Sequence, residues 1–174
     1  MAEYRLRPMT EADLELVLLW RNHPDVRRYM YTSHEIGMDE HRAWFAKAGR
    51  APANSLLVYE RHGEATGFVN ITRGRCHEVA DWGFYLSPDA QKGAGRSLGE
   101  LTLGYVFDEL GLHKLCGQVL GFNERSLGFH KALGFIEEGR LREQHYDGTV
   151  YQDVVCFGLL RREWNSKAME KKDE

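Results

Sequence analysis

Two stretches of this 174-residue sequence carry most of its chemistry, Asp81–Leu98 and Asn123–Phe135. In the first, the aromatic run Asp81-Trp82-Gly83-Phe84-Tyr85-Leu86 is cut by Pro88. It then passes through Lys92-Gly93-Ala94-Gly95-Arg96-Ser97 into a helix-like pattern. A strand that turns through glycines into a helix start presents backbone N–H groups to an anion, and glycines let a phosphate approach the chain closely. Lys92 and Arg96 can add charge to that cradle, although a cation there is equally at home as a solvated surface residue. The second stretch has a polar cap at Asn123, a short helix and a Gly134-Phe135 exit. Two strand–helix units, the first with a phosphate loop, point to an enzyme that holds a phosphorylated carrier.

Other residues can move protons or read a ligand. His130 titrates near ~6.5 when unperturbed, so it can exchange protons near neutrality. Glu78 and Asp81 fall on the strand predicted before the loop. Three residues apart, they point to opposite sides of it, so only one reaches a shared site. Arg21 and Arg27, with Asn22 and His41, offer planar donor forks and polar tips suited to a diphosphate or a sugar. Tyr31 and Trp44 can stack on a base or a sugar ring. Each of these also has an ordinary structural use. The three cysteines (Cys76, Cys116, Cys156) are far apart, and neither they nor the histidines show metal-ligand spacing. No metal is expected.

The elements that must position these residues follow from pattern. A short strand at Tyr4–Arg7 precedes a capping box at Thr10–Asp13. A helix then carries Leu14, Val17, Leu18 and Trp20. Pro24 ends that helix or starts another over Asp25–Met30, and Met38–Ala48 is a third. Strands are predicted at Ser55–Glu60, Ala65–Thr72, Glu78–Leu86, Lys114–Leu120, Phe135–Gln144 and Val150–Leu160. Helices are predicted at Gly95–Leu110 and Glu124–Leu133. The order gives an α/β fold: a mixed, mostly antiparallel sheet flanked by helices, with one parallel crossover through Gly95–Leu110. The expected organisation is one domain over residues 1–162 and a charged, frayed tail over 163–174. Net charge is −3, so bulk electrostatics give no reason to expect nucleic acid. No apolar run approaches the ~20 residues of a membrane span, and the first residues lack an apolar signal core. With the cysteine pattern, this places the chain in the cytoplasm without a membrane partner. The sequence leaves a homodimer open.

The glycine loop together with Asn123, Ser126, Lys131 and Gly134-Phe135 resembles the GNAT acyl-CoA N-acyltransferase superfamily, and the match in element order covers nearly the whole chain. Gly93 and Gly95 take the superfamily's glycine positions. Ala90 stands where Arg or Gln is usual, and Gln91 fits only a loop one residue shorter. The resemblance implies acetyl-CoA as co-substrate, its pyrophosphate on the backbone of Lys92, Gly93, Ala94, Gly95, Arg96 and Ser97. It also implies a cofactor-binding splay between the strands at 78–86 and 114–120. The pantetheine arm would pair with the backbone of Phe84, Tyr85 and Leu86, and Gly83 would permit a bulge. Asn123 and Ser126 would lie near that arm, in addition to any capping role. His130 stands where many members keep the Tyr that protonates the leaving sulfur, so it is the expected general acid. Asp81, nearer the expected reaction centre than Glu78, is the expected base.

The segments Trp20–Tyr31 and His41–Phe45 resemble two related branches. One acetylates a nucleotide sugar in pseudaminic acid biosynthesis; the other acetylates the N-termini of ribosomal proteins. Met30-Tyr31, His41-x-x-Trp44-Phe45 and Asp81–Leu86 look closer to the first. That implies a UDP-linked 4-amino-4,6-dideoxy sugar as acceptor, read by Arg21, Asn22, Arg27, Tyr31, His41 and Trp44. A protein N-terminus or a small amine is the alternative acceptor. A non-catalytic CoA-binding module is a weaker reading, because both loop glycines, Asn123 and a titratable His130 are retained.

Overall fold

The computed structural model of the chain describes residues 4–170. Seven strands form one sheet in the order β1-β2-β3-β4-β5-β7-β6. They are β1 (Tyr4–Pro8), β2 (Asn54–Arg61), β3 (Glu64–Arg73), β4 (Val79–Leu86), β5 (Lys114–Leu120), β6 (Ile136–Tyr146) and β7 (Tyr151–Leu160). The helices are α1 (Leu14–Asn22), α2 (Pro24–Arg27), α3 (Met38–Arg50), α4 (Ala94–Gly104), α5 (Glu124–Leu133) and α6 (Arg161–Glu170). The predicted mixed sheet with one parallel crossover is therefore present: β4 and β5 are the parallel pair. Their register runs for three pairs, Val79–Lys114, Ala80–Leu115 and Asp81–Cys116.

The chain divides into two compact units. The first is the chain up to Thr72 together with Trp82–Leu101. Here β1, β2 and β3 pair antiparallel, and their inward side chains meet those of α1 and α3. Met9, Leu14, Val17, Trp20, Leu56, Val58 and Phe68 form the buried cluster, and Trp44, Phe45, Ala48, Ala65 and Tyr85 pack against it. Helical spacing in α1 and the two-residue period of β2 put Val17 and Trp20, and Leu56 and Val58, toward this cluster, although β2 is buried on both faces. The capping box is real: the backbone N–H of Thr10 donates to Asp13 Oδ2 at 2.8 Å. Asp13 also takes two hydrogen bonds from Arg7, at 2.7 and 2.8 Å. Those bonds with Arg7 hold the Asp13 carboxyl down at about 2 against the opposing effect of its burial. Glu60, 5% exposed, is held by both Arg5 and Arg7, which ties β2 to β1. Gly67 on β3 is a close-approach site. A Cβ there would lie 2.9 Å from Leu98 Cδ1 and 3.1 Å from the Tyr85 carbonyl oxygen.

The second unit is Arg73–Asp81 with the chain from Thr102 onward. In it β5, β7 and β6 form an antiparallel ladder over a core that includes Phe107, Leu115, Phe157 and Leu159. After α4 the chain makes a π-helical turn over Tyr105–Glu109, so the predicted single helix to Leu110 is two elements. Arg161 donates to the Phe107 carbonyl at 2.8 Å, and Trp164 stacks on Phe107 at 6.3 Å. Part of the stretch expected as a frayed tail from residue 163 lies in α6, Arg161–Glu170. Charge composition suggested fraying, but α6 is fixed by these contacts and by Glu163, whose carboxylate accepts the Leu160 N–H at 2.9 Å. Residues 171–174 of that expectation lie outside the described residues, as do the first three of the sequence. No helix among the described residues is long and apolar enough to cross a membrane.

Candidate active site

The loop after β4 leads into the start of α4. Ser87 N–H is tied to the Thr66 carbonyl at 2.8 Å, which anchors the loop to β3. Gly93 sits at φ +91°, where an L side chain is strained, and it turns the chain into α4. Ala94 and Ser97 donate their N–H groups to the carbonyls of Gln91 and Gly93. Among the described residues, the N–H groups of Gly95 and Arg96 meet no carbonyl ahead of the helix. Those open donors at a helix N-terminus fit a pyrophosphate. The side chains are less committed. Ala94 is buried, Lys92 is exposed, Arg96 Nε donates forward to Glu100 at 3.1 Å, and Ser97 Oγ lies 3.5 Å from the Gly93 carbonyl. Gln91 is bound by Arg61 through its Oε1. Phe84, Tyr85 and Leu86 end β4 half-buried, with their backbones in the strand that leads to the loop.

Two expected carboxylates part company. Asp81 is on β4, opposite Cys116 across the parallel ladder; the residue is exposed, and partial desolvation of its carboxyl raises the pKa from the usual aspartate value. The Cys116 thiol is raised in the same way. Glu78 is not on the strand: it lies in the turn before β4, where its carbonyl accepts the N–H groups of His113 and Lys114 at 2.8 and 3.2 Å. The expectation that both line one strand is thus corrected, since β4 begins at Val79.

The second strand–helix unit forms as read. Asn123 Oδ1 accepts the Ser126 N–H at 3.1 Å, and Gly134 closes α5 in the left-handed conformation. His130, however, does not stand where a general acid should. It is 2% exposed, stacked on Phe157 at 5.0 Å and edge-on to Phe135 at 5.1 Å. Its Nδ1 lies 2.8 Å from the Ser126 carbonyl and 3.5 Å from Ser126 Oγ. Burial lowers its pKa, so the neutral ring is the stable form. A carbonyl only accepts, so the single proton of that neutral ring sits on Nδ1 and none is held on Nε2 for delivery. The role expected of His130 rests on its slot, whereas the structure sets its ring among Phe129, Phe135 and Phe157.

The residues expected to read the acceptor are gathered in the first unit, but not all are available. Asn22 is used twice by the backbone of Ile36, at 2.8 Å in each direction, so it pins a loop instead of facing a ligand. Arg27 pairs with Glu35 at 3.7 Å, and Tyr31 is exposed. Arg21 donates from Nη2 to the Thr32 carbonyl at 3.0 Å, while its buried Nη1 has no partner. Burial lowers its pKa and Arg27 adds repulsion. His41 is 4% exposed and stacks on Trp44 at 5.2 Å. Sequence reasoning missed the side chain of Tyr85, a partly buried residue whose phenol pKa is pushed up by desolvation and on which Arg21 acts electrostatically; only its backbone is singled out by the sequence. The one available signal is its place in the aromatic run Trp82–Tyr85. Among the described residues no group of His, Cys, Asp and Glu could hold a metal ion.

The model of the Acetyltransferase (GNAT) domain matches residues 4–136, which include the loop, β4, β5 and α5. The chain belongs to the GNAT acetyltransferase family. It is an acetyl-CoA-dependent N-acetyltransferase, and the open donors of the loop suit that co-substrate. The chain is similar to spermidine N(1)-acetyltransferase of Escherichia coli, 26% identical over 162 residues, or 92% of this chain and 87% of that protein. It is also similar to the acetyltransferase PseH of Campylobacter jejuni, 29% identical over 137 residues, 75% and 83% of the two chains. A solved GNAT structure, spermidine N-acetyltransferase from Vibrio cholerae in complex with CoA and spermine, superposes with a TM-score of 0.87 at 26% identity. It covers 93% of this chain and 98% of that one.

Proposed function

We propose that this acetyltransferase acts on the 4-amino group of a UDP-linked 4-amino-4,6-dideoxy sugar, the acceptor class of pseudaminic acid biosynthesis. The observation that carries the acceptor class is Arg21, whose buried Nη1 donor has no hydrogen-bond partner. A guanidinium donor of that kind fits a diphosphate oxygen and not another cation. The similarity to PseH over three quarters of the chain, 75%, supports the same class.

In this reading the backbone of Gly93–Ser97 takes the CoA pyrophosphate. The backbone of Phe84–Leu86 orients the thioester carbonyl and receives the negative charge that builds on its oxygen. Asp81, three residues earlier on the same strand, takes a proton from the attacking amine, and the desolvation that raises its pKa makes it a stronger base than an ordinary aspartate. The nitrogen–carbon bond forms, the carbon–sulfur bond breaks, and the CoA thiolate recovers the proton. Amine and thioester become amide and thiol. His130 is left out of this sequence on the grounds of its burial.

A polyamine acceptor is the second reading, favoured by the likeness to the Vibrio cholerae enzyme with its CoA and spermine. The test compares kcat/KM at saturating acetyl-CoA for a UDP-4-amino sugar, spermidine and a ribosomal-protein N-terminal peptide. A preference for the sugar of about tenfold or more, ~1.4 kcal/mol, supports the proposal. A preference for spermidine or the peptide replaces it. Asp81→Asn should lower kcat by about 10²–10⁴ while sparing acetyl-CoA affinity.

A further inference from the structure

We infer that Arg21 and His41 form a two-point seat for a phosphorylated sugar: Arg21 Nη1 donates to an anionic oxygen, and His41 Nε2 accepts from a neighbouring ligand hydroxyl. This rests on the acceptor reading above and narrows it to two atoms. Both atoms are buried polar groups without a hydrogen-bond partner. Folded proteins pair nearly all such groups, so an orphan needs an explanation. Two orphans on neighbouring side chains, one a charged donor and one a lone pair, are costly to keep unless something pairs them.

The chemistry of each atom follows from its surroundings. The Arg21 fork is fixed at one end, because Nη2 is committed to the Thr32 carbonyl. Nη1 is therefore aimed, not floppy. His41 is bonded to the backbone of Leu14, and the bond stabilises the protonated ring, so the Leu14 carbonyl is its acceptor. With Nε2 unpartnered, that bond comes from Nδ1. Burial, with the Arg21 charge adding to it, keeps the ring neutral. A neutral ring protonated on Nδ1 has a lone pair on Nε2, which calls for a hydroxyl and not for an anion.

Aromatic side chains complete the seat. His41 stacks on Trp44 at 5.2 Å, Trp44 meets Phe68 edge-on at 5.8 Å, and Phe68 meets Tyr85 at 5.2 Å. Arg21 acts electrostatically on both ends of this row, on His41 and on Tyr85. The other charges that act on Arg21 are Arg27, which opposes it, and Glu40, which favours it. The row runs into the buried cluster and gives the one cation and the one lone pair an apolar backing, the composition of a site that takes a sugar phosphate through a few placed polar groups.

Calorimetry on the full chain saturated with CoA tests the seat, since CoA then blocks its own phosphate sites. The probes are inorganic pyrophosphate and UDP-N-acetylglucosamine. Arg21→Gln should weaken both by about thirtyfold. His41→Phe keeps the stack on Trp44 and should weaken only the sugar nucleotide, by about tenfold. Acetyl-CoA affinity and near-UV circular dichroism establish that each variant is folded. Failure of the wild-type chain to bind either probe overturns the inference, as does wild-type affinity in both folded variants. If Arg21 governs binding but no UDP-4-amino sugar is acetylated, the seat stands and the acceptor reading falls. If the sugar is acetylated with unchanged kcat/KM in both variants, the acceptor reading stands and the seat falls.

Discussion

The protein holds two deeply buried histidines, His41 at 4% exposure and His130 at 2%, and they differ in what their nitrogens meet. Both are kept neutral by burial. His130 has its faces and edges against Phe157, Phe135 and Phe129, with Nδ1 on the Ser126 carbonyl. His41 has one face on Trp44 and an Nε2 that meets nothing. Burial and pKa direction therefore fail to separate a core histidine from a ligand-facing one. The unspent polar atom does separate them: His41 Nε2 has a desolvation cost that a ligand group can recover, which is the basis of the seat proposed above.

The largest effect that could break this comparison lies at His130. As a core residue, His130→Ala should cost about 3 kcal/mol of stability, with a Tm drop of roughly 6–12 °C. The kcat of the folded variant should stay within about threefold of the wild type. A fall of a hundredfold at unchanged Tm would instead make His130 the proton donor that its slot suggests. The pH dependence has a definite sign. The folded pKa lies below the unfolded value of ~6.5, so the unfolded chain takes up the proton first as pH falls. The stability from His130 is complete above about pH 7 and declines as pH drops through ~6.5. Melts of wild type and His130→Phe between pH 5 and pH 8 should diverge in that window.

Asp13 sharpens the contrast from the other side, as a buried charge with every oxygen engaged. Its pKa of about 2, set first by its hydrogen bonds with Arg7, lies below the unfolded value. The contribution, about 2 kcal/mol, is present above ~pH 4 and lost as pH falls toward 2. Asp13→Asn should lower the Tm at pH 7 by about 4–8 °C and change acetyl transfer little. The gap between variant and wild type should shrink in melts at pH 2.5. A gap that persists there would assign the stability to packing and not to the ion pair.

How much of this was legible in the sequence depends on range. Local signals were sound: the capping box at Thr10–Asp13, the Asn123 cap, the Gly134 exit and the loop glycines all act through neighbouring backbone, which spacing encodes. The parallel crossover was legible because a helix between two strands leaves few topologies. The fate of His130 and Asn22 was not. Phe157 and Ile36, which occupy them, are 27 and 14 residues away, and no periodicity announces such partners. Glu78 failed for a smaller reason: strand ends are set by ladder bonds, and the Glu78 carbonyl serves the start of β5 before β4 begins. The shared environment of Arg21, His41 and Tyr85 was half visible. Two were chosen for their chemistry, and the third entered only as backbone.

The smallest predicted effect tests whether the rule of unspent polar atoms extends from side chains to backbone. In the loop, Gly95 and Arg96 N–H groups meet no carbonyl ahead of α4, so they resemble Arg21 Nη1 more than they resemble the saturated donors of the sheet. Gly93 shapes this stretch from φ +91°, and a Cβ there has no atom within 4 Å to clash with. The cost of Gly93→Val is therefore conformational: about 1–2 kcal/mol of backbone strain, relieved by letting the loop leave the left-handed region. Relaxation would re-aim the donors without disturbing the core. The KM for acetyl-CoA should rise at least about tenfold, ~1.4 kcal/mol, while Tm moves by only a few degrees. Gly93→Ala, with less side-chain bulk to order, should show the same direction with a smaller rise. If Tm falls and the KM for acetyl-CoA does not, the loop glycine serves only the turn. The open N–H groups would then carry no more information about binding than the solvated start of any helix.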